Sequence, residues 1–304
     1  MFNKILVPLD GSPLAEHALE PALVLAEQGG GEVILLRVPV LEKMLVPALA
    51  GYGFLWPDQS FEVSRHEASE YLTTIQQARA HPGRTLRAKV VDGDIASVIV
   101  DTAAAEQVDL IVMSTHGYSG LTRWVLGSVA ERVLHSASCP VMVVHSAAPI
   151  SNVVITLDGS RLAEKALLPA LEVARRLGAQ VTLLRVVQDS EVNPTDVDYL
   201  EFLEHGLGRR LQEESYEHAE GYLQSVVALR QSPDQKINLA VRFGKAAETI
   251  LGYTDAHDVH LLAMVTHGRT GLRRWVYGSV TEKVLRGSNC AMLVVRPPAE
   301  ELND

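Results

Sequence analysis

One segment of this chain occurs twice. MSTHGYSGLTRWVLGSVAERVL, Met113 to Leu134, returns as MVTHGRTGLRRWVYGSVTEKVL, Met264 to Leu285. KILVPLDGSPLAEHALEPALVLAEQGGGEVILLRV, Lys4 to Val38, is matched in the same way by VVITLDGSRLAEKALLPALEVARRLGAQVTLLRV, Val153 to Val186. Self-similarity at a fixed period sets the architecture before any single element is assigned. The offset is 148 from Asp10 to Asp158 and 151 from Gly127 to Gly278, so a domain is duplicated with a small length difference in its middle. A chain of 304 residues gives each copy room for its own core, since domains run to roughly 150 residues. The expected halves are 1–147 and 148–304, closely packed across the short polar junction HSAAPISN, His145 to Asn152.

Within each half, short β-branched runs alternate with longer amphipathic stretches. In the first, Ile5–Leu9, Val33–Val38, Leu86–Val91, Leu110–Met113 and Val141–His145 read as strands. Leu14–Gln28, Glu67–Ala80, Ile95–Gln107 and Ser128–His135 read as helices, the first opened by Ser12 as N-cap with Pro13 behind it and closed by Gly29–Gly31. The stretch Val40 to Glu62 has no clear period and reads as an inserted loop with a short helix. Strands separated by helices imply right-handed crossovers and a parallel sheet covered on both faces. The expected class is therefore α/β: two repeated, open, five-stranded parallel sheets flanked by helices. The last strand of each half, Val141–His145 and Met292–Arg296, would leave an exposed edge, and pairing the two across a pseudo-twofold axis would make an internal pseudo-dimer.

In such sheets ligands lie beyond the carboxyl ends of the strands, where the strand order reverses. Asp10 and Asp158 follow strands in PLDGS and TLDGS, and the Thr-His-Gly loops follow another pair. A carboxylate repels phosphate but accepts hydrogen bonds from a ribose hydroxyl or an adenine amine; equally, it can shape a strand-to-helix turn. Ser128-Val-Ala-Glu131 and Ser279-Val-Thr-Glu282 fit the S/T-x-x-E capping box, so Ser128 and Ser279 are expected as N-caps of helices whose free N–H groups attract phosphate. Gly117 and Gly127, with Gly268 and Gly278, would let the backbone approach anionic oxygens without a Cβ in the way.

These residues resemble the universal stress proteins in their tandem form. The family's nucleotide-binding members carry G-x2-G-x9-G-(S/T) after the fourth strand, and STHG…GS and VTHG…GS match it except at the first position, Ser114 in one copy and Val265 in the other. The resemblance covers nearly the whole chain. It implies an adenine nucleotide alpha hydrolase-like, Rossmann-like sheet, ATP or a related adenine nucleotide as ligand with Mg2+ or Mn2+ accompanying it, and a nonenzymatic role in stress response or regulation. Carried over, the nucleoside would lie against Pro8, Leu9, Asp10, Val38 and Met113, beside Ser114, with phosphates at Gly117, Gly127, Ser128, Val129 and Ala130. The second set would be Thr156, Leu157, Asp158, Val186 and Met264, beside Val265, with Gly268, Gly278, Ser279, Val280 and Thr281. The N-terminal half is expected to bind better. If the first motif position needs positive φ, Ser114 costs on the order of 1 kcal/mol and β-branched Val265 more; Thr281 could offset this with a hydroxyl where the first half has Ala130.

Other functional classes find less support. The sequence contains no G-x4-G-K-(S/T), G-x-G-x-x-G, H-E-x-x-H or G-x-S-x-G. His116 and His267 are candidate acid-base groups for an enzyme that hydrolyses the nucleotide or transfers its phosphate, and a ligand-free interaction scaffold is a third reading. Arg123, Arg269, Arg273 and Arg274 could screen phosphate charge or form a solvated face, and Trp124 and Trp275 are expected to pack the loop onto the domain. A net charge of -10 opposes attraction to nucleic acid or anionic lipid. No apolar run approaches the roughly 20 residues that span a bilayer, and no export signal is visible, so a cytoplasmic location is expected. Cys139 and Cys290 are expected as small buried residues. Whole chains could pair further as a homodimer.

Overall fold

In the computed structural model, which describes residues 2–40, 57–115, 126–188, 207–230, 235–266 and 278–296, the apolar runs form strands and the amphipathic stretches form helices, as their periods predict. The first half holds β1 (Lys4–Pro8), α1 (Pro13–Glu16), α2 (Leu19–Glu27), β2 (Glu32–Arg37), α3 (Pro57–Ala78), β3 (Thr85–Val90), α4 (Ile95–Ala105), β4 (Leu110–Ser114), α5 (Ser128–Ser136) and β5 (Val141–Val144). The second holds β6 (Asn152–Thr156), a 3-10 turn (Ala163–Ala166), α6 (Leu167–Leu177), β7 (Gln180–Val187), α7 (Leu207–Arg230), β8 (Ile237–Phe243), α8 (Ala246–Ala256), β9 (Leu261–Val265), α9 (Ser279–Gly287) and β10 (Ala291–Val295).

Among the described residues ten strands join one sheet, in the order β3-β2-β1-β4-β5-β10-β9-β6-β7-β8. Pairing is parallel within each half. At the centre β5 and β10 run antiparallel, with Met292 opposite Val143 and Leu293 opposite Met142. That is the internal pseudo-dimer. The central strands β5, β9 and β10 are buried at every residue, as a sheet covered on both faces requires. Side chains alternate across the sheet. Ile5, Val7, Val33 and Leu35 enter a core beneath α2 and α6 that spans both halves, while Leu6, Ile34 and Leu36 enter the opposite core beneath α4 and α5.

Polar contacts fasten the halves. Arg176 on α6 is 7% exposed; it pairs with Glu172 at 2.6 Å and donates from Nη1 to the carbonyls of Phe2 (2.8 Å) and Leu25 (2.7 Å) in the other half. On the opposite face Arg286 of α9 meets Glu131 of α5 at 3.2 Å, and Arg296 Nη1 donates to the carbonyl of His135 at 2.8 Å. At the outer edge, β3 carries Arg87 and Lys89, both paired with Glu106, and such charge discourages further strand addition.

Two expectations need correction. The helix expected over Leu14–Gln28 is broken at His17–Ala18, because Pro21 has no N–H for the carbonyl of His17 four residues back and its ring crowds that carbonyl. Pro169 stands in the same relation to Lys165, where the second half has its 3-10 turn. The helix expected from Glu67 begins at Pro57, inside the stretch read as a loop. Its early turns leave Phe61 41% and Val63 57% exposed, so no buried apolar stripe marks them in the sequence. Among the described residues no helix is long and apolar enough to cross a membrane.

Candidate functional site

The strand order reverses between β1 and β4 in one half and between β6 and β9 in the other, and these strands are neighbours. The Asp10 turn and the loop after Ser114 therefore leave adjoining carboxyl ends, with Val38 just beyond the end of β2 beside them. Met113 and Val38 are buried in the core beneath α4 and α5, and Met264 is their counterpart in the second half. Pro8, Leu9 and Asp10, and likewise Thr156, Leu157 and Asp158, form the strand-to-turn passage, anchored by the N–H of Leu9 on the carbonyl of Leu36 (2.8 Å) and of Leu157 on that of Leu184 (2.9 Å).

Asp10 shapes its turn. Its Oδ1 accepts from the backbone N–H of Ser12 at 2.9 Å and from the Ser12 hydroxyl at 2.6 Å, while Ser12 Oγ accepts from the N–H of Ala15 and caps α1. Asp158, Ser160 and Ala163 repeat the arrangement at the same distances. Turn formation is thus one of the roles of both aspartates.

The loops that carry the repeated motif are closed at their necks. Gly127 donates to the carbonyl of Thr115 at 2.9 Å, and Gly278 to that of Thr266 at 2.8 Å. Gly117, Gly268, His116, His267, the loop arginines, Trp124 and Trp275 lie outside the described residues. The helices start where expected but are capped differently. Gly127 and Gly278 are the N-caps, with extended ψ of 145° and 142°, and among the described residues no side-chain bond caps either helix. Ser128 and Ser279 are first helical residues, so Glu131 and Glu282 fall one position too late to close a capping box. The N–H of Glu131 bonds back to Gly127, as a first helical bond does, at 2.9 Å. A glycine cap presents the first-turn N–H groups and the positive dipole end without a competing side-chain acceptor, which suits an anion.

At the first motif position the condition of positive φ is not met. Among the described residues, positive φ outside glycine occurs only at Gln107 and Asp258, so Ser114 and Val265 are ordinary strand residues and the backbone cost at that position does not arise. What separates the halves is side-chain chemistry. Val265 is packed into the core at 6% exposure, and the buried Thr281 hydroxyl donates to its carbonyl at 3.0 Å, whereas Ala130 has no hydroxyl. The proton of Thr281 is thus spent on the protein.

Sequence reasoning missed a polar group beside each aspartate. Arg37, at the end of β2, lies under the Asp10 turn with Cζ 5.4 Å from the ring centre of Tyr71, whose hydroxyl donates to Glu16 at 3.0 Å. In the second half Arg185 lies 4.9 Å from the ring of Tyr222, which donates to Glu164 at 3.1 Å. The signal was present, since Arg37, Glu16 and their counterparts stand at matched places in the quoted repeat.

Cys139 and Cys290 are free thiols at matched positions ahead of β5 and β10. Burial pushes both thiols up, Cys139 to about 11. They stay protonated and behave as small apolar side chains. Among the described residues no group of three or more His, Cys, Asp or Glu is placed to hold a metal.

Comparison with known proteins follows the duplication. The family model described as Universal stress protein family matches residues 1–145 and again 149–296. Universal stress protein MJ0531 of Methanocaldococcus jannaschii is 33% identical over 145 residues, covering 47% of this chain and 82% of that protein. A universal stress protein of Mycolicibacterium smegmatis is 29% identical over 226 residues, covering 71% of this chain and 70% of its own. Among solved structures, a universal stress protein from Archaeoglobus fulgidus superposes with a TM-score of 0.68 at 21% identity, covering 97% of this chain and 99% of that one. The protein PA1789 from Pseudomonas aeruginosa gives 0.70 at 18%, covering 99% and 94%.

Proposed function

The chain belongs to the universal stress protein family as a tandem pair of its domains, and on that premise we propose that it binds ATP or a related adenine nucleotide without turning it over, and that occupancy serves regulation under stress. The observation that carries this reading is the glycine-capped start of α5, set beside the Asp10 turn at the point where the strand order reverses. The two ends of a nucleotide need different partners. Phosphates need N–H donors and a positive dipole end, which Gly127, Ser128, Val129 and Ala130 offer in the first half and Gly278, Ser279, Val280 and Thr281 in the second. The nucleoside needs acceptors and apolar walls. A carboxylate has roughly four acceptor positions, so Asp10 can hold Ser12 through Oδ1 and still accept from a sugar hydroxyl, while Val38 and Met113 supply the wall; Asp158, Val186 and Met264 are their equivalents.

Gly117 and Gly268 complete the phosphate loops in this proposal, and Mg2+ or Mn2+ would come with the phosphates. The N-terminal half is the better binder, since Ser114 is smaller than Val265 and Thr281 has already committed its proton. The site of action is the cytoplasm. Equilibrium dialysis with ATP, followed by assay of released phosphate, tests the reading. Saturable binding with no release above the protein-free control is the expected result. Release that disappears in His116→Ala would instead establish the phosphoryl-transfer alternative, and failure to bind any nucleotide would leave the interaction scaffold.

A further inference from the structure

We infer that Arg37 and Arg185 are positioning residues for the two aspartate turns, each clamping its turn from the face of the sheet opposite Met113 and Met264. The inference rests on the nucleotide reading of those turns, and deepens it by naming what holds the carboxylate in place.

Arg185 is 4% exposed, and the Nε of Arg37 is buried with no hydrogen-bond partner. Among the described residues neither guanidinium has a carboxylate within ion-pair distance. Burying a cation without an anion is costly, and an apolar side chain would fill the same space more cheaply. What each guanidinium lies against is the turn. Arg37 Nη1 donates to the carbonyl of Leu9, immediately before Asp10, at 3.3 Å. A Cβ on Gly11, immediately after it, would stand 2.9 Å from Nη1, and one on Gly159 would stand 3.1 Å from Nη1 of Arg185. Both glycines have positive φ, +84° and +87°, so the turn shape and the seat for the guanidinium require the same residue.

The other side of each guanidinium rests on a tyrosine ring, a favourable place for a desolvated cation. The ring is fixed in turn. Burial, reinforced by Glu16 or Glu164, pushes both phenols above their usual range, so each keeps its proton and donates it to that carboxylate. Glu16 belongs to α1, whose N-cap Ser12 is hydrogen-bonded to Asp10. The circuit closes: Asp10, Ser12, Glu16 along α1, Tyr71 on α3, Arg37, and the backbone on either side of Asp10. The second half repeats the aspartate–serine bond, the tyrosine–glutamate bond and the approach of the guanidinium to the turn glycine, with α7 supplying Tyr222, which points to a requirement of the turn and not to a chance of packing.

The test uses the full chain in a Gly278→Glu background, which leaves one site. ATP affinity is measured by calorimetry, and amide hydrogen exchange over residues 9–15 is measured without nucleotide. In Arg37→Met, the dissociation constant should rise roughly tenfold, the loss of about one hydrogen bond to a charged group, and exchange over residues 9–15 should quicken while β4 and β5 stay protected. Tyr71→Phe keeps the ring but frees it from Glu16, and should give a smaller change of the same kind. If Arg37→Met fails to fold, Arg37→Lys, which keeps the charge and loses the planar fork, takes its place with the same expectation. A folded variant with both turn protection and affinity within about twofold of the parent overturns the inference. If the parent itself binds no ATP, the nucleotide reading fails while the exchange measurement still decides whether Arg37 clamps the turn.

Discussion

Arg176 shows how much one side chain can carry between the halves. Its guanidinium is shared among Glu172 and the carbonyls of Phe2 and Leu25, and it lies so close to Gly29 that a Cβ there would stand 2.1 Å from Nη1. Arg176→Met would leave two buried carbonyls unserved, and removing one partner of a buried charged network costs about 3 kcal/mol; urea denaturation should report a loss of that order. Gly29→Ala should destabilise by displacing the same guanidinium. Glu172 supplies a pH dependence. Its carboxyl is held down at about 2 by hydrogen bonds from Arg175 and then Arg176, against the opposing effect of burial. A depressed carboxyl pKa contributes stability that is fully present above its ordinary value of 4.5 and is lost as pH falls toward about 2. Glu172→Gln should therefore flatten the acid limb of the stability profile between those values, measured as midpoint temperature against pH.

At the scale of elements, the helices α5 and α9 meet across the pseudo-twofold axis through Glu131 and Arg286, whose side chains are 38% and 51% exposed. Exposure limits the worth of that pair to roughly 0.5 kcal/mol. A double-mutant cycle with Glu131→Gln and Arg286→Met should find a coupling of that size, and a value of several kcal/mol would show that the interface depends on it. The order and type of these elements were legible because their apolar periods differ and because every reading could be checked against its repeat. Three kinds of feature were not. The break at His17 is set by a proline four residues later, which the periodicity of Leu14–Gln28 hides. The capping box at Ser128 is a local pattern that the chain overrides, since Gly127, tied to Thr115, already takes the cap. The repeat marks Arg37 and Glu16 by their matched places, but the contact of Arg37 with Tyr71 joins β2 to α3, and no spacing along the chain reveals that contact.

For the whole molecule, the antiparallel pair β5–β10 converts two sheets with exposed inner edges into one. All four residues of β5 are buried, and the core beneath α2 and α6 is common to both halves. Residues 1–147 alone would expose that edge and half of that core, so sedimentation should find them self-associated, and a monodisperse monomer would contradict the view that edge pairing unites the halves. The same duplication places in each half an aspartate turn and a glycine-capped helix after neighbouring strands, and the proposal is that these two places bind an adenine nucleotide unequally. Calorimetry with ATP on the parent chain, on Gly127→Glu and on Gly278→Glu tests this most directly, because a carboxylate placed at a helix N-cap repels phosphate at that site and leaves the other untouched. With all three chains confirmed folded by circular dichroism, Gly127→Glu should remove most of the binding and Gly278→Glu should change little. Binding that survives Gly127→Glu at the parent's strength would contradict the account.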